Sequence, residues 1–383
     1  MREKFKKHAI LLILLAIGLT AFLRGLIFLD PDFGWHIREG QLIMQKGIQM
    51  TDPFSYSMPS FHFIDHEWLA NIFISLTYKY FGIYFLSFIF SVIFVLSLFV
   101  SIPDKFKNYS FFPLILAGIV ILNFSGIRTQ VITWLFLSIL LKVVLDDKLW
   151  GKWRFFLPLI FLPWVNLHGG FALGIVVLSL VFVAKFVQNR KFEYDSLLII
   201  FFSILFTFVN PYGPRIWQEI WMQISDNSLR WRISEWVPGV FYLDVAFLFL
   251  LSLSFIFIFK YRKKFKLWEV IIYLLLLLMS LSSLRHIPLW TLTSIFVTSK
   301  AFFFFSEDIK KDKISIRRYH KVKIILAVIM IGLFLFEGGL SISSANSMSE
   351  KKYYPVSAIA YLKKQKINGN VFSTYDWGGY LIW

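Results

Sequence analysis

The stretch HAILLILLAIGLTAFLRGLIFLDPDFGWH, residues 8–36, decides the fold class of this chain. Residues 8–28 form a predominantly apolar run, and roughly twenty such residues are enough for a helix to cross the hydrocarbon of a bilayer. Two carboxylates, Asp30 and Asp32, follow the run directly. Because charges near a bilayer are costly, ionisable residues there are candidates for a functional role. This stretch therefore predicts a membrane protein with a polar site at the end of its first span.

The composition extends this prediction to the whole chain. Of the 383 residues, 57% are hydrophobic and 20% aromatic, and the mean hydropathy is +0.66. These values exclude an ordinary soluble domain and indicate an all-α polytopic membrane protein. About eleven transmembrane helices are predicted, near residues 8–28, 83–102, 110–126, 129–145, 155–167, 170–187, 195–210, 241–260, 267–283, 287–304 and 322–341. The absence of cysteine excludes disulfides, thiolate metal sites and cysteine nucleophiles.

Lysine and arginine are concentrated in alternate connections between these runs. The basic groups are Lys4, Lys6 and Lys7; Lys105 and Lys107; Lys148, Lys152 and Arg154; Arg190 and Lys191; Arg262, Lys263, Lys264 and Lys266; and Lys310 through Lys323. By the positive-inside rule these connections are cytoplasmic, so the N-terminus is predicted inside and the C-terminus outside the plasma membrane. The net charge of +17 is therefore mostly a signature of topology, and nucleic acid is not a predicted partner.

The predicted outer segments are long enough to carry a site. Residues 1–341 form a predicted transmembrane domain whose first outer loop spans residues 29–82. The apolar, aromatic end of that loop, from Glu67 onward, predicts a helix in the membrane interface. Residues 342–383 are predicted to begin an extracytoplasmic α/β domain, with a helix at 355–366 and a strand at 371–375. Because the sequence stops soon after Gly378 and Gly379, we expect this domain to be truncated.

Polar residues in the predicted outer segments supply the candidate site. The candidates for catalysis are Asp32, Asp30 and Glu67. The candidates for substrate binding are His36, Asp65, His66, Arg128, His168, Asn210, Glu235, Arg285 and His286. Their concentration on one predicted face, more than any single motif, favours chemistry at that face.

Several candidates have an equally simple structural interpretation. Asp30 or Asp32 could cap the following helix, since aspartate accepts hydrogen bonds from free amides at helix starts. His36 could pack in the interface, and Asn210 could end a helix. The pair Arg285-His286 lies at the end of an apolar run and could reach water by snorkelling. A neighbouring guanidinium and imidazole also suit a phosphate, because they present several donors.

Together these groups suit the transfer of an activated group at the outer membrane surface. A carboxylate takes a proton from an acceptor hydroxyl, or stabilises positive charge at an anomeric carbon. Cationic side chains, with or without a divalent metal ion, neutralise a phosphate leaving group. Since nucleotide sugars are not expected outside the cytoplasm, the predicted donor is a sugar on a polyprenyl phosphate. No cofactor is firmly predicted, and a divalent metal ion stays open.

In Asp30–Ile37 with Gly40 and Gly47, Thr51–Ser55 and His66–Leu69, the chain resembles bacterial membrane glycosyltransferases of the GT-C superfamily. The nearest in kind are the dolichyl-phosphate-mannose protein mannosyltransferase-like and RgtA/B/C/D-like proteins. The resemblance implies a polyprenyl-phosphate sugar donor, a glycan, lipid or protein acceptor, and membrane lipids as surroundings. It further implies that the first acidic motif is catalytic, with Asp32 in the catalytic position and Asp30 as the alternative. The second Asp-x-Asp of the oligosaccharyltransferase branch is missing, so a tightly bound metal is not implied.

Two other functions stay open at this point. A polysaccharide polymerase or ligase acting on undecaprenyl-linked glycans would also use outer Arg and His residues. A non-enzymatic transporter would show inverted repeats and polar groups at mid-membrane, and the sequence shows neither clearly.

Overall fold

The computed structural model describes residues 2–226, 228–310 and 313–383, and this described chain is all-α. Its helices begin with α1 Arg2–Ile27, α2 Phe33–Lys46, α3 Trp68–Val100, α4 Phe111–Leu122, α5 Gln130–Leu145, α6 Asp147–Trp153, α7 Leu157–Leu167, α8 Phe171–Asn189 and α9 Tyr194–Phe206. They continue with α10 Arg215–Ser225, α11 Leu229–Arg232, α12 Val245–Lys260, α13 Leu267–Ser282, α14 Ile287–Ile309, α15 Lys313–Ser347, α16 Glu350–Tyr353, α17 Val356–Lys364 and α18 Gly378–Ile382. Short 3₁₀ turns lie at Asp104–Tyr109, Arg154–Phe156, Ser234–Trp236, Gly239–Phe241, Arg262–Lys264, Leu284–His286 and Tyr375–Trp377. No strand forms within the described ranges, where one isolated bridge pairs Thr51 with His62.

The apolar runs fold as helices. Each of the eleven predicted runs coincides with one of α1, α3, α4, α5, α7, α8, α9, α12, α13, α14 and α15. Segments long and apolar enough to cross a membrane are Ile10–Ile27, Trp68–Val100, Phe171–Asn189, Leu284–Ile309 and Ile325–Ser347. The prediction of an all-α protein with membrane-spanning helices is confirmed at this level.

The first connection after α1 is held by close packing of α2 on α3. A Cβ on Gly40 of α2 would lie 2.2 Å from the backbone oxygen of Asn71, so only glycine allows this approach. Helix α3 begins at Trp68, as the sequence predicts, and breaks at Gly82, where φ is 72°. The apolar run predicted from residue 83 is therefore the second part of this helix.

Helix α14 lies in the middle of the bundle, against α4, α5, α12 and α13. Its first four turns are buried even though they carry several hydroxyls. Four of these hydroxyls bond to the helix's own backbone, as Thr291 does to the Ile287 carbonyl at 2.8 Å and Ser294 to the Thr291 carbonyl at 2.6 Å, whereas that of Ser299 has no partner among the described residues. The half-buried turn Leu284–His286 directly precedes this buried helix.

The connections gather at two ends of the bundle. At one, here called the basic end, Lys142 pairs with Asp104 at 2.9 Å, Arg154 with Asp195 at 3.0 Å, and Lys266 with Asp147. At the other, here called the site end, the contacts join residues 28–36, 65–71, 123–133, 166–170, 235–242, 283–286 and 348–383. The candidate residues other than Asn210 therefore meet because their connections alternate along the chain.

The tail returns to the site end. Its predicted helix is confirmed as α17. The strand predicted at 371–375 is wrong, because no other strand in the described chain offers an edge to pair with, and Tyr375 starts a 3₁₀ turn instead. Helix α18 follows and packs against α2, where the ring of Trp383 lies 5.5 Å from that of Phe33. The Tyr354 hydroxyl donates to the Leu29 carbonyl at 3.0 Å, which fixes the tail beside the acidic motif.

Candidate active site

Asp30 is part of an ion-pair chain that joins three connections at the site end. Arg128 Nε lies 2.6 Å from Asp30 Oδ2, and the same guanidinium pairs with Glu235. Gln130 donates to the second carboxylate oxygen of Glu235 at 3.0 Å. The other oxygen of Asp30 accepts the backbone N–H of Asp32 at 3.0 Å. Because Asp30 is buried and paired with a cation, its carboxylate holds the connections of the site end together.

Asp32 differs from Asp30 in its exposure and in its bonding partners. Its side chain is exposed, it makes no cap hydrogen bond to α2, and no described residue bonds to its carboxylate. Surrounding protein nevertheless desolvates the carboxylate, and this desolvation, with the charge of Asp30, raises its pKa. The capping interpretation is therefore wrong for the Asp32 side chain. An accessible carboxylate with a raised pKa suits a proton acceptor.

Glu67, just before α3, is approached by three imidazoles. Its Oε1 lies 3.4 Å from His168 Nε2 and 3.7 Å from His66 Nε2. Its Oε2 lies 3.8 Å from His36 Nδ1, and Thr129 donates to Oε1 at 2.8 Å. Burial raises the pKa of Glu67 to about 8 and lowers that of His66 to about 4. At neutral pH these two groups therefore act mainly as uncharged hydrogen-bonding partners.

The tautomer of His168 follows from its neighbours. The backbone N–H of Gly170 donates to His168 Nδ1 at 2.9 Å, so that nitrogen carries the lone pair. The proton is then on Nε2, which faces Glu67. Burial lowers the pKa of His168 well below its usual range, which keeps the ring neutral. Gly170 is required here, because a Cβ would lie 2.3 Å from the Thr133 hydroxyl.

His36 belongs to a second hydrogen-bonded group. Its Nδ1 lies 2.6 Å from Asn71 Oδ1, and Asn71 Nδ2 donates to Asp65 Oδ2 at 2.8 Å. Sequence reasoning missed Asn71, although it follows Glu67 by four residues and so lies one helical turn further along α3. Burial raises the pKa of Asp65 to about 7.

A cavity of about 210 Å³ opens beside these groups. Its polar lining is contributed by His66, Gln130, Thr133, His168, Gln223, Arg285 and His286. Arg285 lies over the Trp236 ring at 4.6 Å, and no carboxylate of the described residues lies within ion-pair distance of it. His286 Nδ1 is 3.2 Å from the Met279 carbonyl, so its Nε2 carries a lone pair. A guanidinium without a carboxylate partner favours an anion in this cavity.

Asn210 does not join the site. Its amide donates to the carbonyls of Thr207 and Gly213, and its oxygen accepts the N–H of Tyr212 at 2.8 Å. All its hydrogen-bonding capacity closes its own turn, as the helix-end interpretation predicts. The other candidate residues come together in the two groups around Asp30 and Glu67 and in the cavity.

The donor set around Glu67 fits a metal ion poorly. Among the described residues, no group of three or more His, Cys, Asp or Glu side chains has the arrangement that would hold one. The geometry gives a reason: His168 presents N–H to Glu67, and the facing Nδ1 of His36 is occupied by its hydrogen bond with Asn71, so neither facing nitrogen is a free ligand.

Comparisons with known proteins add no assignment, because no protein-family model and no curated protein matches this chain.

Proposed function

We propose that this protein is a GT-C-type membrane glycosyltransferase that moves a sugar from a polyprenyl-phosphate-linked donor to an acceptor. The observation that carries the proposal is the state of Asp32, an exposed and unpartnered carboxylate whose pKa is raised. It lies close enough to Arg285 for the guanidinium charge to act on its pKa. A proton acceptor next to an anion-binding group suits displacement of a phosphate by a hydroxyl.

In the proposed reaction, Asp32 takes the proton of the acceptor hydroxyl as that oxygen bonds to the anomeric carbon. The bond between this carbon and the phosphate oxygen breaks, and its electron pair leaves with the polyprenyl phosphate. Arg285 stabilises the negative charge on the leaving phosphate from the cavity wall, where His286 lies beside it. Glu67 and His66 orient the substrates as neutral hydrogen-bonding groups.

The proposed membrane arrangement includes more helices than the segments that are long and apolar enough by themselves to cross a bilayer. We propose that all eleven apolar helices cross or enter the bilayer, with the basic end in the cytoplasm and the site end outside the plasma membrane. The paired lysines and arginines of the basic end support this orientation. Cysteine labelling at positions 60 and 264 is expected to reach them from opposite sides, and labelling from one side would contradict the arrangement.

The test of the activity is sugar transfer by the purified protein in lipid nanodiscs. A panel of polyprenyl-phosphate sugars is offered with glycan, lipid and protein acceptors. We expect transfer from at least one donor, loss of transfer in Asp32→Asn, and retention in Asp52→Asn. Asp52 is a matched control in the same loop, where its carboxylate accepts the N–H groups of Phe54 and Ser55.

Two outcomes would contradict the proposal. Elongation of undecaprenyl-linked glycans without transfer of a single sugar would indicate a polymerase or ligase. Solute flux across proteoliposomes, with no transfer from any donor, would indicate a transporter.

A further inference from the structure

The chain of hydrogen bonds from His36 through Asn71 to Asp65 is buried along its whole length. These three residues are exposed by 4%, 0% and 2% respectively. The His36–Asn71 distance is 2.6 Å and the Asn71–Asp65 distance is 2.8 Å. His36 and Asp65 are connected through Asn71, which lets one influence the other without contact.

The donor and acceptor roles in these two hydrogen bonds follow from the contacts of Asp65. The backbone N–H of Glu67 donates to Asp65 Oδ1 at 2.9 Å, which leaves Oδ2 for Asn71. An ionised carboxylate only accepts, so Asn71 must turn its NH₂ group toward Asp65 and its oxygen toward His36. His36 Nδ1 must then donate, and the lone pair of the ring is on Nε2. No described residue hydrogen-bonds to that nitrogen.

The backbone keeps the three groups at these distances. Gly40, one helical turn after His36, packs against the backbone of Asn71 more closely than any side chain would allow. Helices α2 and α3 are therefore in close contact beside the hydrogen bond between His36 and Asn71. Asp32 lies four residues before His36 in the sequence and is near enough to interact with it electrostatically.

We propose that Asn71 and Asp65 are positioning residues that hold His36 with its proton on Nδ1, so that Nε2 accepts a hydrogen bond from the acceptor hydroxyl beside Asp32. The part that concerns the acceptor rests on the proposed function. The tautomer does not, because it follows from the protein's own hydrogen bonds.

Protonation of Asp65 reverses the donor and acceptor roles in the hydrogen bonds that join Asp65, Asn71 and His36. A proton on Oδ2 donates to Asn71, which must then turn its NH₂ group toward His36 and leave the ring proton on Nε2. Burial places the pKa of Asp65 at about 7, so the reversal falls near neutral pH. The titratable groups that face Asp65 are Glu39, Glu67 and Tyr212. Those that face His36 are Glu67, Asp32, His66 and His168.

The decisive experiment reads the tautomer by ¹⁵N NMR of histidine-labelled protein in lipid, with His36→Gln identifying the His36 signals. At about pH 8.5 the wild type is expected to carry the proton on Nδ1. Asp65→Asn is expected to move it to Nε2, because the new amide donates to Asn71 and reverses the chain. Glu39→Gln, which also removes a buried carboxyl near Asp65 but has no bond to Asn71, is the control.

Activity supplies the second measurement. Asp65→Asn is expected to raise the acceptor KM about tenfold and to leave the donor KM unchanged, as the loss of one hydrogen bond would do. A wild-type proton on Nε2, or an unchanged tautomer in folded Asp65→Asn, would overturn the positioning role. A reversed tautomer with an unchanged acceptor KM would overturn the acceptor contact alone. Absence of transfer in the wild type would overturn the proposed function, and the NMR result would still decide the tautomer.

Discussion

Glu39 offers the sharpest prediction about stability. It lies on α2 with 0% exposure, and neither carboxylate oxygen has a hydrogen-bond partner among the described residues. Burial, reinforced by the charges of Asp65 and Asp52, raises its pKa to about 7. An unfolded glutamate ionises near 4.5, so the folded state holds the proton over the interval between the two values. The free energy of unfolding must therefore fall as pH rises from about 4.5 to about 7, and level off above.

The size of the effect follows from these two values. The whole interval corresponds to about 3 kcal/mol, of which about 2.5 kcal/mol is lost between pH 5 and pH 8. An amide does not ionise, so Glu39→Gln is expected to reduce the pH dependence of unfolding by about this amount. Asp65 and Glu67 remain in both proteins, so the two differ only in the ionisation of Glu39 and its electrostatic coupling to Asp65.

The assay is reversible unfolding in mixed detergent micelles at pH 5 and pH 8, followed by tryptophan fluorescence. Glu219→Gln is the matched control, because it removes a carboxylate on another helix, α10, that is not fully buried and accepts a hydrogen bond from Gln223. If Glu39→Gln loses as much stability between the two pH values as the wild type, the inference that Glu39 is protonated in the folded state is refuted.

Three further changes separate catalysis from packing. Asp32→Asn is expected to lower kcat about 10²- to 10⁴-fold at unchanged Tm, because the carboxylate caps nothing; unchanged kcat would exclude its catalytic role. Arg285→Gln is expected to raise the donor KM about ten- to a hundredfold, since a hydrogen bond to a charged group contributes about 1.5–3 kcal/mol; an equal rise in the acceptor KM would argue against phosphate binding. Gly40→Ala is expected to reduce the free energy of unfolding by about 1–3 kcal/mol, because its Cβ would lie 2.2 Å from the Asn71 oxygen. Gly332→Ala, which meets nothing within 4 Å, is the control, and an equal loss there would contradict the packing argument.

Local hydropathy was enough to locate the apolar helices, but not helices such as α2 and α10. Every predicted apolar run lies on a helix, and the helix after Pro355 was found from its own residues. The burial of apolar surface depends on a run of neighbouring residues, so a short window of sequence contains the information. The prediction of a strand at 371–375 was wrong because a strand must pair with another strand, and the local sequence does not specify that partner.

The roles of the polar residues depended on the tertiary structure. Asp30 and Asp32 flank the same proline, and the sequence could not separate a structural carboxylate from a free one. The separation comes from Arg128, which lies in another connection and reaches Asp30 but leaves Asp32 without a partner. Asn71 was missed for the same reason, since its importance comes from His36 and Asp65 on either side of it. The sequence by itself determined where the apolar helices lie, whereas ion pairs, tautomers and pKa values depend on distances between segments remote in the chain, which only helix packing sets.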